Sequence, residues 1–509
     1  MLSKIYTATI HGIEGQLITV ETDVSNGLPG FYLVGQADNG IKEAKDRIRA
    51  SIINSDFEYP RTRITVNMSP AGIRKRGSHF DLAIAMGILA SSAQVNSDRI
   101  REYCFIGELS LDGSLSRTDG VLPMIIAMRK CGFRNIIIPL ANEEEGALIK
   151  DVNVYAAGNL MEIVNHLNYG APLKEAEGYR IPEYEGNAGK IDFADVKGQE
   201  TAKRAITICV AGGHGLFMMG SPSSGKTMLA ERIPTIMPEM NYEEILESTI
   251  IYSISGLLDK ERPIIYRRPF RQPHNRITQA AFLGGGAYPK PGEISLADKG
   301  VLFLDEFGEF DRNIIENLRI PLECGKIVLN RREWSCTYPA DFLLVAASNP
   351  CRCGYYGDSA HKCKCTAAQV FNYQKKLSGP ILDRIDMNLF LTPVSYDEFE
   401  SEKSTSSEEM RREIIKARRI QKERFSMDGI MLNHEMDGKL LERYVPVNSP
   451  EINEFLGNAY RNLKLNPRTM QKIRRVARTI ADLDGSESVK LEHFAESLAY
   501  RGEKQWSEY

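Results

Sequence analysis

The alternation of apolar and polar positions divides the chain into two mixed blocks and a helical end. Up to about residue 170, strand-like runs such as "QLITVETDV", "RITVNMS" and "VNVYAA" alternate with helix-period runs such as "IKEAKDRIRASIINS", "FDLAIAMGILASSAQ" and "LPMIIAMRKCG". A second strand-and-helix block runs from "IDFADVKGQ" to about residue 393. Long charged helices follow, including "SEEMRREIIKARRIQKERF" and "PRTMQKIRRVARTIADL".

This pattern predicts an α/β multidomain protein, since 509 residues are too many for one core. Segment 172–190 is rich in glycine, proline and charge, and we interpret it as a linker. The predicted domains are an α+β front domain at 1–171, an α/β core at 191–394 and a helical domain at 395–509. The run "SEKSTSSEE" at 401–409 indicates a surface loop that leads to a helix N-cap.

Composition narrows the class of protein. Apolar residues make up 42% of the chain and charged residues 26%, which is typical of a soluble globular protein. No apolar run approaches the roughly 20 residues of a membrane span, and the first residues lack a signal-peptide pattern, so we expect a cytoplasmic protein with no membrane partner. Because the net charge is −3, any nucleic-acid site must be a local patch.

A phosphate-binding loop is the clearest chemical signal. Gly220, Gly225, Lys226 and Thr227 satisfy G-x-x-x-x-G-K-[ST] between the strand-like "GLFMM" and the helix-like "TMLAERI". Lys226 is expected to reach the β/γ oxygens of a nucleotide and Thr227 to hold Mg²⁺. The residues predicted to surround the phosphates are Gly220, Ser221, Pro222, Ser223, Ser224, Gly225, Lys226, Thr227 and Met228.

Two later strands carry polar residues at their carboxyl ends. "GVLFLDEF" at 300–307 ends in Asp305, which would orient Mg²⁺, and Glu306, which would polarise the attacking water. The alternative is that this acidic pair only caps the next helix. "FLLVAASN" ends at Asn349, whose neutral side chain could hold a water near the γ-phosphate.

Two arginines are candidates for stabilising the transition state. Arg384 precedes the apolar strand of "LSGPILDRIDMNLFL", where it could form a surface ion pair with Asp383 or Asp386. It could equally be an arginine finger that reaches a neighbouring subunit's γ-phosphate. Arg468, in "NPRTMQKIRR", could play a similar role within its own chain.

Nine cysteines in a reducing compartment are expected to be thiols or metal ligands. In "NPCRCGYYGDSAHKCKC", within a Cys-rich insertion at 351–365, Cys351 and Cys353 precede Cys363 and Cys365, and four thiolates in two pairs fit a tetrahedral structural Zn²⁺. His361 is a substitute ligand. The alternatives are a metal-free loop of reduced thiols and, for the other cysteines, plain core or surface positions.

Basic residues with aromatic neighbours suggest a non-specific DNA surface. "YRRPFRQPHNR" at 266–276 contains Arg267, Arg268, Arg271 and Arg276; Lys290 follows in "GGGAYPKPGEIS", and Arg331 and Arg332 lie in the hairpin-like "GKIVLNRREW". Cations bind phosphates whatever the sequence, and aromatic rings offer stacking faces. The alternative is that these arginines pair with carboxylates of a neighbouring subunit, and Trp334 is equally compatible with a core position.

The order "DFADVKGQ", P-loop, "LFLDE", "AASNP", "GPILDRID" and "NPRTMQKI" resembles the magnesium-chelatase-like branch of the AAA+ ATPases. "RPFRQPH", "GGGAYPKPGEISLADKGVLFLDEF", "NPCRCGYYGD" and "ARTIADL" resemble the ComM/YifB proteins, over essentially the whole chain. The resemblance implies an ATP- and Mg²⁺-dependent hexamer with a helical lid. It assigns Lys226 and Thr227 to Walker A, Asp305 and Glu306 to Walker B, Asn349 to sensor 1, Arg384 to the finger and Arg468 to sensor 2.

The front domain resembles the proteolytic domain of Lon and the terminal domain of the recombination protein RadA. The expected serine turn reads "GSHFDLAIAMG", and "DGVLPM" lacks the expected lysine. Ser78 could be a displaced nucleophile, but no base is visible beside it, so we expect a scaffold.

Three functions remain from the sequence. The first, implied by the family, is a motor on single-stranded and branched DNA that drives branch migration in recombination during natural transformation. The second is a protein-remodelling or metal-chelatase ATPase, which the basic segments disfavour. The third is an ATP-dependent protease, which the missing Ser/Lys pair disfavours.

Overall fold

The computed structural model describes residues 2–36, 38–178, 191–286, 289–330, 335–358, 361–377, 381–394, 396, 400, 404–447 and 449–501. The strands of the front domain are β1 (Leu2–His11), β2 (Glu14–Ser25), β3 (Gly30–Val34), β4 (Arg63–Ser69), β5 (Tyr103–Phe105), β6 (Glu108–Leu109), β7 (Leu115–Ser116), β8 (Asn135–Pro139), β9 (Asn153–Ala157) and β10 (Lys174–Glu175). Its helices are α1 (Asn39–Asn54), α2 (Asp81–Ser91), α3 (Ser97–Ile100), α4 (Val121–Lys130), α5 (Glu143–Gly146) and α6 (Leu160–Tyr169).

The core and the helical end follow. The core elements are α7 (Glu200–Gly212), β11 (Leu216–Gly220), α8 (Lys226–Ile236), α9 (Tyr242–Ser255), β12 (Phe270–Arg271), α10 (Gln279–Leu283), β13 (Gly284–Gly285), β14 (Lys290–Pro291), α11 (Glu293–Leu296), β15 (Val301–Leu304), α12 (Arg312–Glu316), α13 (Arg319–Cys324), β16 (Lys326–Asn330), β17 (Ser335–Pro339), β18 (Leu343–Ser348), α14 (Ala367–Leu377) and β19 (Met387–Leu391). The last helices are α15 (Ser407–Arg424), α16 (Gly438–Tyr444), α17 (Pro450–Asn462), α18 (Pro467–Leu483) and α19 (Leu491–Ala499).

A mixed sheet organises the front domain, with the strand order β10-β9-β8-β5-β1-β2-β4-β3. The alternating sequence of β4 buries Ile64, Val66 and Met68 on one face, as period-2 patterning predicts. Helices α2 and α4 both pack against β1 and β2. At the edge, Lys174 and Glu175 pair antiparallel with β9, so the sheet extends into the segment interpreted as a linker, of which 179–190 lie outside the described residues.

The core sheet is parallel throughout and has the order β12-β15-β18-β11-β19. Strands β11, β15 and β18 are buried along their whole length, which explains their continuous apolar sequences. Because parallel strands end at the same edge, the P-loop after β11 and the polar residues after β15 and β18 converge there.

The helical end packs on the core through α15. Ser406 caps this helix in a capping box with Glu409, as the N-cap prediction for 401–409 required. Met410, Ile414 and Ala417 bury their side chains in the same cluster as the core strands. None of the helices in the described part of the chain has both the length and the apolar character needed to cross a bilayer.

Helix α9 and the β16–β17 hairpin join the front domain to the core. The Tyr242 hydroxyl donates to the Leu148 carbonyl over 2.8 Å, and the Ser253 hydroxyl donates to the buried Glu145 carboxylate. Ile10 and Ile13 of the front domain pack against the small cluster formed by Ile254, Cys336 and Tyr338. The front domain therefore contacts strand β17 of the β16–β17 hairpin directly.

Candidate functional site

The P-loop wraps around the ammonium of Lys226. Gly225 has a φ of 87°, which an amino acid with a side chain rarely adopts, and α8 begins at the next residue. Lys226 Nζ donates to the carbonyls of Gly220 and Ser221 over 2.8 Å each and to Ser224 Oγ over 3.3 Å. Burial lowers the pKa of Lys226 from its ordinary value. The loop thus holds a cation at its centre, as a phosphate site requires.

Side chains from three neighbouring strands meet at this loop. Thr227 Oγ1 donates to Asp305 Oδ2 over 2.9 Å, and Lys226 Nζ lies 3.3 Å from Asn349 Oδ1. A hydroxyl and a carboxylate in contact are oxygen ligands of the kind that Mg²⁺ prefers beside a nucleotide, so these residues fit the ion. The structure therefore brings the sequence-predicted Lys226, Thr227, Asp305 and Asn349 together.

Glu306 is held by a residue that the sequence analysis missed. Its backbone is left-handed, with a φ of 51°, and Asn275 Nδ2 donates to Glu306 Oε2 over 2.8 Å. Asn275 follows β12, the neighbour of β15 in the sheet. A polar residue shortly after a strand was the available signal, but β12 has only two residues and was not recognised as a strand.

The two candidate arginines share one carboxylate. Arg384 donates to Glu323 Oε1 through Nε over 3.0 Å and through Nη2 over 2.8 Å, and Arg468 Nη2 donates to the same oxygen over 3.2 Å. These hydrogen bonds help to lower the pKa of Glu323 against the opposing effect of desolvation. The sequence had offered Asp383 or Asp386 as partners of Arg384; the structure shows an ion pair with Glu323, on α13.

A buried network fixes Arg468 beside Arg384. One turn after Arg468, Lys472 lies 3.4 Å from Asp386 and donates to the Ile385 carbonyl over 3.0 Å. His214 Nδ1 lies 3.1 Å from the other oxygen of Asp386. Lys472 and the nearby histidine help to hold the pKa of Asp386 below its usual range despite burial. Helix α18 is thereby anchored to the start of β19, close to Arg384.

Comparison with known proteins identifies the family. The family model "Magnesium chelatase, subunit ChlI" matches residues 192–399, the model of its C-terminal part matches 404–501, and "Subunit ChlI of Mg-chelatase" matches 20–142. The competence protein ComM of Haemophilus influenzae is 40% identical over 98% of this chain and 97% of its own. The chain belongs to the ComM/YifB family of magnesium-chelatase-like AAA+ ATPases.

Other members and more distant relatives agree with this assignment. YifB of Escherichia coli is 38% identical over 98% of this chain and 97% of its own. The magnesium-chelatase 67 kDa subunit of Heliobacterium mobile is 26% identical over 34% of this chain and 30% of its own. The AAA+ fold class predicted from sequence is confirmed, with a parallel core sheet and a helical C-terminal region.

The cysteine loop of this ComM/YifB protein forms a compact cluster. The ligand atoms of Cys351, Cys353, Cys363 and Cys365 all lie within 4.8 Å of one another, and the Sγ atoms of Cys353 and Cys363 are 3.5 Å apart. Backbone N–H groups, that of Tyr355 foremost, lower the pKa of Cys353 to about 6. His361 lies instead 3.5 Å from Asp358. The four sulfurs are therefore arranged as a metal site requires.

This cluster adjoins the nucleotide site. Cys351 comes two residues after Asn349, and a Cβ placed on Gly354 would lie only 2.6 Å from Pro222 Cγ of the P-loop. The loop backbone therefore packs directly on the P-loop.

The residues predicted to bind DNA divide into two groups, those that form ion pairs within the chain and those that are exposed. Arg268 donates to the carbonyls of Pro238 and Lys299 and pairs with Glu244, while Arg271 forms a bidentate pair with Glu293 at 2.6 and 2.7 Å. Both are thus engaged by groups of their own chain. Arg267, Arg276 and Lys290 are exposed. Arg331, Arg332 and Trp334 lie outside the described residues.

Two hairpins of the core lie side by side. The Tyr338 hydroxyl of β17 donates to the Pro289 carbonyl beside β14 over 2.7 Å, and Leu329 of β16 packs at Gly284 of β13. Lys290, at the start of β14, is next to this contact. The hairpin-like reading of "GKIVLNRREW" is confirmed by the pairing of β16 with β17.

In the front domain, the Ser78 hydroxyl donates to the Glu108 carboxylate, and Lys75 Nζ donates to the Pro70 carbonyl. Ser78 thus has a carboxylate partner, and the nearby lysine is engaged elsewhere. This geometry is not that of the Ser/Lys pair used by Lon-type peptidases.

Proposed function

We propose that this chain is an ATP-driven DNA motor: a hexameric ring that binds DNA and couples hydrolysis to branch migration during recombination. The observation that carries the ATPase part is the contact between Thr227 and Asp305, which joins the P-loop to the acidic strand end. The DNA part is supported by ComM, whose name marks it as a competence protein.

The residues at the sheet edge have distinct roles in this proposal. Lys226 binds the terminal phosphates, exchanging the loop carbonyls for phosphate oxygens. Thr227 and Asp305 would hold Mg²⁺, which when bound supplies positive charge to the phosphates. Glu306 accepts a proton from the attacking water, and Asn349 orients that water. Asn275 keeps the Glu306 carboxylate in place beside the site.

Arg384 completes the site of the neighbouring subunit in the proposed ring. A finger of this kind stabilises charge on the phosphoryl group in the transition state, which can raise the rate by orders of magnitude. Because Arg468 shares Glu323 with Arg384, we propose that both arginines serve the same neighbouring nucleotide. This differs from the interpretation of Arg468 within its own chain.

DNA would pass along the paired hairpins. Lys290, Arg276 and Arg267 offer exposed positive charge, and this charge supports binding to phosphates without sequence preference. Residues 331–334, which lie outside the described residues, connect β16 to β17 in the sequence and include Arg331 and Arg332. Arg268 and Arg271 would position this surface through their carboxylate pairs without contacting DNA themselves.

We also propose that the four-cysteine cluster holds one structural Zn²⁺. Zinc prefers thiolates in tetrahedral closed sites, and a metal here would fix the loop that follows Asn349 against the P-loop.

The direct test is dissociation of a synthetic four-way DNA junction with ATP, using wild-type protein and the Glu306→Gln variant. We expect ATP-dependent conversion of the junction into duplexes by the wild type and binding without conversion by the variant. The competing function, protein remodelling, is favoured by the similarity to magnesium-chelatase subunits. Active ATP hydrolysis with no junction dissociation would support that alternative.

A further inference from the structure

Glu323 connects elements that are far apart in the sequence. Its Oε1 accepts hydrogen bonds from Arg384, 61 residues away, and from Arg468, 145 residues away in the helical end. Arg384 is almost enclosed, with 5% of its side chain exposed, whereas Glu323 and Arg468 remain 45% and 48% exposed. Glu323 and Arg468 therefore sit at a rim of the core that solvent or another chain can reach, and Arg384 is enclosed beside them.

The Glu323 carboxylate stabilises Arg384 and Arg468 close to each other by electrostatic attraction. Two guanidinium groups that contact one oxygen atom repel each other, and the repulsion is strongest where burial removes water. The carboxylate between them offsets that repulsion and sets the direction of both side chains. The buried contact of Lys472 with Asp386 fixes the backbone that carries Arg468, and the hydrogen bond to Glu323 holds its side chain.

The position of Glu323 also connects Arg384 and Arg468 to the β16–β17 hairpin. It lies on α13, and Gly325, with a φ of 62°, turns the chain into β16 immediately afterwards. The Ala340 N–H at the end of the hairpin donates to the Gly325 carbonyl over 2.9 Å. A displacement of α13 would therefore also displace both strands of the β16–β17 hairpin.

We infer that Glu323 is a positioning residue that presents Arg384 and Arg468 as one unit to the γ-phosphate bound by a neighbouring copy of the chain. This inference rests on the ring of the proposed function but not on DNA. Glu323 itself contacts no phosphate; it acts through the two guanidinium groups.

The first test compares steady-state ATP hydrolysis without DNA by wild type, Glu323→Ala, Glu323→Gln and the control Glu316→Ala. Glu316 is an exposed carboxylate that pairs with Arg312 on the neighbouring α12. We expect Glu323→Ala to lower kcat by about tenfold or more, with the affinity of the isolated chain for a fluorescent ATP analogue unchanged. Glu323→Gln should recover part of kcat, because its amide oxygen still accepts hydrogen bonds, and the control should match wild type.

A simple structural role would give a different result. If Glu323→Ala weakened nucleotide binding by the isolated chain, lowered the melting temperature strongly, or left kcat at the wild-type value, the inference would be wrong.

The second test mixes inactive variants and measures whether hydrolysis returns. Arg468→Ala chains keep an intact P-loop, and Lys226→Ala chains keep both arginines. If both arginines act across the interface, mixed rings contain complete sites and hydrolysis rises above that of either variant alone. No rise, with mixed oligomers confirmed by mass photometry, would overturn the inference. A chain that stays monomeric with ATP would overturn both this inference and the ring, whereas DNA-independent hydrolysis with successful mixing would refute only the DNA motor.

Discussion

Lys226 is the residue on which nucleotide binding depends most directly. Its ammonium is already centred in the loop by two carbonyls, so little rearrangement is needed to meet a phosphate. We expect Lys226→Ala to weaken ATP binding by about 100-fold or more, because the charge at the loop centre is lost. Binding of a fluorescent ATP analogue checks this, with the exposed Lys439→Ala as a charge-matched control. Unchanged affinity in Lys226→Ala would contradict the assignment of the loop.

Glu306 separates binding from hydrolysis. Glu306→Gln keeps the shape of the side chain but removes the proton acceptor, so we expect normal ATP affinity and a fall in hydrolysis of about 100-fold or more. Retention of unhydrolysed ATP on the purified variant is the measurement. Hydrolysis at the wild-type rate would mean that another group activates the water.

Asp298 makes the stability of the core depend on pH. It is 1% exposed before β15, and burial raises its pKa to about 7 from an ordinary value of 3.8. Between these values the folded chain holds a proton that the unfolded chain has lost, so stability falls as the pH rises through this range and levels off above it. Asp298→Asn, which is neutral throughout, should therefore gain melting temperature relative to wild type between about pH 5 and pH 8. A constant difference across that range would contradict this.

Contacts between site residues could be predicted where a sequence motif marks the residues. They were missed where only the three-dimensional fold brings the residues together. Lys226, Thr227, Asp305 and Asn349 follow recognisable strands, so their meeting could be inferred from parallel topology. Asn275 and Glu323 acquire their partners only in three dimensions. The partner of Glu323 in the helical end lies 145 residues away, and no local pattern indicates that contact.

At the scale of elements, long amphipathic or fully apolar segments were predicted correctly, whereas short strands were not. Strand β12 has two residues inside a stretch interpreted as a basic patch, and β13 and β14 have two residues each. Periodicity cannot identify a strand of two residues, because it needs several repeats. The ion pairs of Arg268 and Arg271 were missed for the same reason, since they depend on how these short elements pack.

The two adjacent hairpins, β13–β14 and β16–β17, predict that loss of a positive charge there weakens DNA binding. Lys290 is exposed at the start of β14, so Lys290→Ala should weaken DNA binding to a similar degree for all sequences and reduce its dependence on salt. Fluorescence anisotropy with single-stranded and junction DNA at several salt concentrations measures both effects, again with Lys439→Ala as control. If DNA binding by wild type and by Lys290→Ala depended equally on salt, Lys290 would not contact the DNA.

The four-cysteine cluster predicts that Zn²⁺ binding and ATP binding affect each other. Elemental analysis should give about one zinc per chain, as four thiolates in one closed site require. Cys353→Ser should lose metal and raise the KM for ATP, because Gly354 packs on Pro222 of the P-loop. Binding of ATP should in turn raise the affinity of the chain for Zn²⁺, measured by equilibrium competition with a chelator, since coupling between two binding sites is reciprocal. A metal-free protein with full activity would refute the zinc site.

For the whole molecule, the fold class followed from the sequence pattern, but the contacts between the front domain and the core did not. The front domain contacts Tyr242 of α9 through the Leu148 carbonyl, and its Ile10 and Ile13 pack against α9 and strand β17. These contacts are specific pairs, without a sequence signature. They place the front domain in direct contact with the β16–β17 hairpin of the proposed DNA surface, which is consistent with a scaffold.

The central claim is that ATP hydrolysis at this site is coupled to DNA. The most direct measurement is the ATPase rate with no DNA, with single-stranded DNA and with a four-way junction, each titrated with salt. We expect DNA to stimulate hydrolysis and this stimulation to fall steeply as salt rises, because phosphate contacts release counterions. An active enzyme whose rate is the same with every form of DNA at every salt concentration would contradict it.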